Sequence, residues 1–168
     1  MEAPAPRIEH IALDLPDEAA TAALARRLAG RARPGDVIAL AGELGSGKTS
    51  FARAFIRSLP LGDAAGGDTA DGEEIPSPTF TLVQIYERRP APVWHFDLYR
   101  LERPEEAYEL DLEDALAGAI SLIEWPERLG PLLPAERLDV RLFFTEDAGG
   151  RRVELTGHGS WSERLGEL

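Results

Sequence analysis

Gly42-Glu43-Leu44-Gly45-Ser46-Gly47-Lys48-Thr49 satisfies every fixed position of G-x-x-x-x-G-K-[ST], a phosphate-binding loop, and the rest of the fold is organised around it. Lys48 is the one lysine of the 168 residues, and the other 17 basic residues are arginines. A chain that otherwise avoids lysine has kept it where a compact ammonium must lie against phosphate oxygens, a space a planar guanidinium fits less well. Before the loop, Arg33-Pro34-Gly35-Asp36 reads as a turn, and Val37-Ile38-Ala39-Leu40-Ala41 has the length and apolarity of a buried parallel strand. After it, Phe51, Ala52, Phe55, Ile56 and Leu59 recur at helical spacing until Pro60. Strand, glycine loop and helix are the context this motif requires. The glycines let amides from Gly45 to Thr49 point inward at phosphates, and the helix beginning near Lys48 adds its positive end. Lys48 then reaches β- and γ-phosphates, and the Thr49 hydroxyl is placed for Mg²⁺.

The remaining pattern predicts an α/β chain: a P-loop NTPase-like layered fold with a mixed parallel/antiparallel central sheet flanked by helices, one domain over residues 1–168. Ile8 to Leu15 alternates as an edge strand. Pro16-Asp17-Glu18 opens a helix through Leu28, with Asp17 as its cap, closed by Gly30 and Pro34. Gly62 to Glu74 is small, acidic and almost without apolar side chains, which predicts a mobile loop. Further strands are predicted at Phe80–Tyr86, Val93–Leu98, Ala119–Glu124, Leu138–Phe144 and Val153–Thr156, with a helix at Pro104–Leu110. The short gap around Arg88-Arg89-Pro90 predicts that the strands on either side pair antiparallel.

Composition bounds the partners. The net charge of −12 repels polyanions and leaves no Lys/Arg stripe to neutralise phosphates, which argues against autonomous nucleic-acid binding. No stretch is long enough to span a bilayer, Met1 to Arg7 lacks an apolar signal core, and there is no cysteine, so a cytoplasmic protein is expected.

A phosphate loop needs an acid near its metal. Val93-Trp94-His95-Phe96-Asp97 and Ile120-Ser121-Leu122-Ile123-Glu124 each end in a carboxylate at the edge of the sheet where nucleotides bind in α/β folds. Each also reads as a strand-end residue capping the next helix; both beside one phosphate loop favour a site. Pro76 and Pro78 stiffen the approach to the next strand, either presenting Ser77 and Thr79 to a γ-phosphate or making an ordinary proline turn. His95 shares the Asp97 face by alternation and reads as a packed, hydrogen-bonded histidine rather than a base.

Four segments carry a resemblance: the phosphate loop, Ser77-Pro78-Thr79-Phe80-Thr81-Leu82-Val83, His95-Phe96-Asp97-Leu98-Tyr99-Arg100-Leu101 and Ile123-Glu124-Trp125-Pro126. In this order they are similar to those of the TsaE (YjeE) family of bacterial ATPases. Members of that family are required, with TsaD, TsaB and TsaC, for making N6-threonylcarbamoyladenosine at position 37 of tRNAs that read codons beginning with A, acting on the TsaD–TsaB complex. The resemblance implies ATP phosphates at Gly42 and Gly45, Ser46, Gly47, Lys48, Thr49 and Ser50, and Mg²⁺ on Thr49 and Glu124. It implies catalytic roles for Lys48, for Asp97 as the water-positioning carboxylate and for Thr79 as a γ-phosphate sensor. Trp125 is placed near the nucleotide or in the core, Asp17 near adenine or ribose unless it only caps its helix, and Arg151 over the same pocket unless it is only a hairpin arginine.

Two other readings stay open. A small-molecule kinase can be built on the same loop, but it needs lid arginines over the transferred group. Gly62–Glu74 has none, and Arg88 and Arg89 are the only cluster available. The second is a nucleotide-sensing interaction protein with negligible hydrolysis, indifferent to Asp97→Ala. The guanine-reading N-K-x-D motif needs a second lysine, so ATP is the expected nucleotide.

Overall fold

The computed structural model describes residues 8–62 and 74–168. Of the acidic stretch expected to be mobile, Gly62–Glu74, residues 63–73 lie outside the described residues.

Seven strands form one sheet in the order β1-β7-β6-β2-β5-β4-β3. They are β1 (Ile8–Leu15), β2 (Val37–Gly42), β3 (Val83–Tyr86), β4 (Val93–Asp97), β5 (Ile120–Glu124), β6 (Leu138–Phe144) and β7 (Arg151–His158). The middle four, β6, β2, β5 and β4, run parallel, and β3 at one edge and the β7–β1 pair at the other are antiparallel. The sheet is therefore mixed, and β3 and β4 pair as the sequence predicts.

The central parallel strands β2, β5 and β4 are mostly apolar because both of their faces are covered. On one face lie α1 (Glu18–Ala29) against α2 and β1, α2 (Lys48–Ser58) against β2 and β5, and α4 (Ser160–Gly166) against β1 and β7; their Leu24, Leu28, Phe51, Phe55, Trp161 and Leu165 share one core with Ile38, Leu40, Ile120 and Leu122. In α1 the buried Thr21, Leu24, Ala25 and Leu28 fall on one helical stripe. Asp17 caps this helix by accepting from Ala20 N at 2.8 Å. On the other face α3 (Leu112–Gly118) and two 3₁₀ segments, Pro104–Leu110 and Pro126–Leu132, close a second cluster around Phe96, Leu98, Leu112 and Ile123. Beyond β2 that second layer stops, and β6 and β7 alternate between buried and exposed positions.

Several boundaries differ from the sequence reading. β3 begins at Val83, not Phe80: Leu82 takes φ 69° and its N–H donates to Pro78 O at 2.6 Å, so Pro78–Leu82 is a turn. β4 stops at Asp97, and Leu98 N–H turns to Glu124 O. The helix expected at Pro104–Leu110 is 3₁₀, and left-handed Asp111 (φ 58°) separates it from α3, which the sequence reading leaves out. β7 extends well past Val153–Thr156 at both ends. The short helix α4 also lies outside the sequence reading.

Helix α4 is held by a buried ion pair. Arg164, 4% exposed, donates from Nη1 to Asp36 Oδ2 at 2.6 Å and from Nη2 to Asp36 Oδ1 at 2.9 Å, with a further bond from Nη1 to Arg31 O. Its guanidinium also lies 3.8 Å from the Trp161 ring centroid. Removing one partner of such a pair strands the other charge. Arg164→Met is expected to lower stability by about 3 kcal/mol, read from urea unfolding, with α4 released from the α1–β2 turn.

Candidate functional site

Strand β2 ends at Gly42 and α2 begins at Lys48, so the glycine loop spans the gap between the sheet and a helix N-terminus. Gly42 (φ 147°) has no space for a side chain: a Cβ there would meet Ser46 Oγ at 2.5 Å and Leu142 O at 2.7 Å. Gly47 (φ 111°) makes the left-handed turn into the helix. The first intrahelical bond is Phe51 N–H to Gly47 O, so the amides of Lys48, Thr49 and Ser50 precede the helical ladder and face the loop end. Ser46 Oγ is buried within the loop without a hydrogen-bond partner.

Lys48 lies within this curl. It is 4% exposed, and Nζ donates to Gly42 O at 2.6 Å and Glu43 O at 2.9 Å while sitting 4.1 Å from the Trp125 ring centroid. Burial pushes its ammonium below the ordinary lysine value, and the charges of Glu124, Glu127 and Asp97 pull the other way. Trp125 reaches it because its backbone is left-handed (φ 59°), turning the chain at the end of β5. Tyr99 packs tilted against the Trp125 ring, their centroids 5.0 Å apart. Trp125 packs on the second core cluster, and its ring also covers Lys48.

The two strand-end carboxylates stand side by side on one sheet face. The parallel register of β4 and β5 sets Asp97 opposite Glu124, both buried, at 4% and 2% exposure. Thr49 Oγ1 donates to Glu124 Oε1 at 2.9 Å, joining the start of α2 to the end of β5. Thr79 Oγ1 donates to Asp97 Oδ2 at 3.0 Å, and Tyr99 N–H donates to Asp97 Oδ1 at 3.1 Å. Ser77 Oγ lies 2.7 Å from Thr79 Oγ1. The proline segment is therefore a turn, and it holds the Thr79 hydroxyl against Asp97.

The other predicted residues lie further out. Arg151 sits outside the loop, donating from Nε to Ser46 O at 2.9 Å and from Nη2 to Gly45 O at 3.2 Å, with Phe144 under its guanidinium at 4.7 Å. Asp17 is engaged as the cap of α1. Ser50 lines a cleft between α1 and α2 with Glu18, Arg53 and Arg57. Tyr99 has no role in the sequence reading although it stands in the quoted His95–Leu101 segment; its place two residues after Asp97 is the only signal. Arg88, considered for a lid, is buried and donates from Nε to Ile56 O at 3.2 Å, near the C-terminal end of α2. Ile56 lies eight residues beyond Lys48 on α2, roughly 12 Å along the helix.

The family profile described as Threonylcarbamoyl adenosine biosynthesis protein TsaE matches residues 15–153, which include every one of these groups. The chain belongs to the TsaE family. A TsaE protein of Rickettsia bellii, a tRNA threonylcarbamoyladenosine biosynthesis protein, is 41% identical over 133 residues, covering 79% of this chain and 86% of that protein. The TsaE protein of Bacillus subtilis is 34% identical over 148 residues, covering 88% and 85%. The crystal structure of Bacillus subtilis YdiB superposes with a TM-score of 0.69 at 28% identity, over 96% of this chain and 94% of that one.

Proposed function

We propose that this chain binds ATP with Mg²⁺ and hydrolyses the ATP to support turnover of a TsaD–TsaB complex making N6-threonylcarbamoyladenosine at position 37 of tRNA. The observation that carries the reading is the paired carboxylates: Glu124 bonded to Thr49 of the phosphate loop and Asp97 bonded to Thr79, side by side on adjacent strand ends. Asp97 is the group that orients a water against the γ-phosphate, and Thr79 holds that carboxylate in place. Lys48 offsets charge on the phosphoryl oxygens.

The donors fit a hard divalent cation. Thr49 and Glu124 offer oxygens only, in a buried and negatively charged corner. Among the described residues no group of three or more His, Cys, Asp or Glu could hold a metal ion. Such a site suits Mg²⁺, which takes one or two protein ligands and completes its shell with phosphate oxygens and water. Held by Thr49 and Glu124, Mg²⁺ would supply Lewis-acid stabilisation of the phosphoryl oxygens.

Exposed apolar side chains ring the same place. Leu44, Phe80, Tyr99 and Phe144 stand on the segments that carry the loop, Thr79, Asp97 and the support of Arg151. A nucleotide site with such a rim suits an enzyme covered by a protein partner, and the position of Arg88 disfavours a self-contained kinase. Direct tRNA binding is not part of the reading, given the charge of −12. TsaC enters as a protein of the same pathway. The cytoplasm is the proposed site of action; among the described residues no helix is long and apolar enough to cross a membrane.

The test is inorganic phosphate release from ATP, alone and with TsaD–TsaB. The partner complex is expected to raise the rate, and Glu124→Gln to lower it about 10- to 100-fold in both arms. A rate indifferent to the partner, together with phosphorylation of a small metabolite, would make the chain a kinase.

A further inference from the structure

His95 is fully buried, and on the same sheet face it is flanked by the apolar Val93, Ile120 and Leu122 and by the polar Gln84, Asp97 and Glu124. Its Nε2 lies 2.6 Å from Glu124 Oε2, and its Nδ1 is buried without a hydrogen-bond partner. A carboxylate oxygen only accepts, so Nε2 carries the proton and donates it. An imidazole with one unpartnered nitrogen is a poor substitute for leucine as packing material. Its single hydrogen bond is what distinguishes it there.

Glu124 needs that bond. At 2% exposure its two oxygens depend on protein donors: Thr49 supplies one to Oε1 and His95 supplies the other to Oε2. Donors on both oxygens fix the plane of the carboxylate. Without His95, Oε2 becomes a buried charge lacking this donor, and the group can turn away from Thr49.

We propose that His95 is a positioning residue whose Nε2–H holds the Glu124 carboxylate so that Oε1 faces Thr49 and a divalent cation. This rests on the reading of Thr49 and Glu124 as the Mg²⁺ pair. Hydrogen bonds behind a metal-ligating carboxylate set its direction and are worth about 10- to 100-fold in metal affinity or activity.

The experiment compares the native chain with His95→Gln and His95→Met, side chains of equal length of which only glutamine has an N–H to donate. Affinity for a fluorescent ATP analogue is titrated with Mg²⁺ and with EDTA, and thermal melting in EDTA reports the fold. Mg²⁺ is expected to tighten binding in the native chain and in His95→Gln. In His95→Met that enhancement is expected to fall about 10- to 100-fold, with affinity in EDTA unchanged. A native-sized enhancement in His95→Met overturns the proposal. So does its loss in a folded His95→Gln, or an equal fall of both variants' affinities in EDTA, which marks His95 as packing alone. A native chain with no Mg²⁺ enhancement instead refutes the Thr49–Glu124 metal reading, and this inference falls with it.

Discussion

Lys48→Ala is expected to abolish measurable ATP hydrolysis, with kcat down by about 10²- to 10³-fold or more and nucleotide affinity reduced as well. The ammonium is the one cation inside the loop curl, held 2.6 Å from Gly42 O and 4.1 Å from the Trp125 ring, with both strand-end carboxylates acting on its charge. Lys48→Arg is expected to fail almost as badly. Charge is kept, but a guanidinium needs room that two carbonyls and an indole already fill. Phosphate release and titration with a fluorescent ATP analogue read the two effects separately. Folding should survive, because burial already disfavours the charged lysine and the loop carbonyls sit near solvent-exposed Glu43 and Leu44. An alanine variant with native turnover would remove Gly42–Thr49 from the chemistry.

Asp97→Asn separates hydrolysis from binding. Asparagine keeps the size of the side chain and an oxygen for Thr79 but loses the negative charge that orients and polarises a water. Single-turnover phosphate release is expected to slow by about 10²- to 10⁴-fold while ATP affinity is retained. This pattern also decides against a nucleotide sensor with negligible hydrolysis, for which Asp97 substitutions leave phosphate release where it was. Thr79→Ala should follow in the same direction with a smaller loss, since Tyr99 N–H still holds the other carboxylate oxygen.

The parts of the fold with strong local signals are legible from sequence. Strand β2, the glycine loop and α2 each carry a one-dimensional pattern: an apolar run, glycines at fixed spacing and a buried stripe at Phe51, Ala52, Phe55 and Ile56. Helix α4 carries none, because its seven residues are anchored by Trp161, Leu165 and the Arg164–Asp36 pair, whose partner is 128 residues away. Helix α3 is hidden by left-handed Asp111, which breaks the helical period between two acidic turns. At the site, strand ends show that Asp97 and Glu124 reach the same edge, but their pairing depends on a parallel register that no local pattern specifies. The Trp125 ring over Lys48 likewise requires a left-handed residue that tryptophan does not advertise. Sequence shows which groups are available; packing decides which of them touch.

Every group proposed to act on phosphate or metal, from Gly42 to Trp125, comes before β6 in the chain, yet the loop's outer carbonyls are gripped by Arg151 at the start of β7. The cradle is therefore a joint between a chemical half and a mechanical half. A fragment cut just before β6 would keep every one of these side chains and lose both the strand beside β2 and the Arg151 brace on the loop's carbonyls. The chemistry occupies the first three quarters of the chain, and its shape is set by the last.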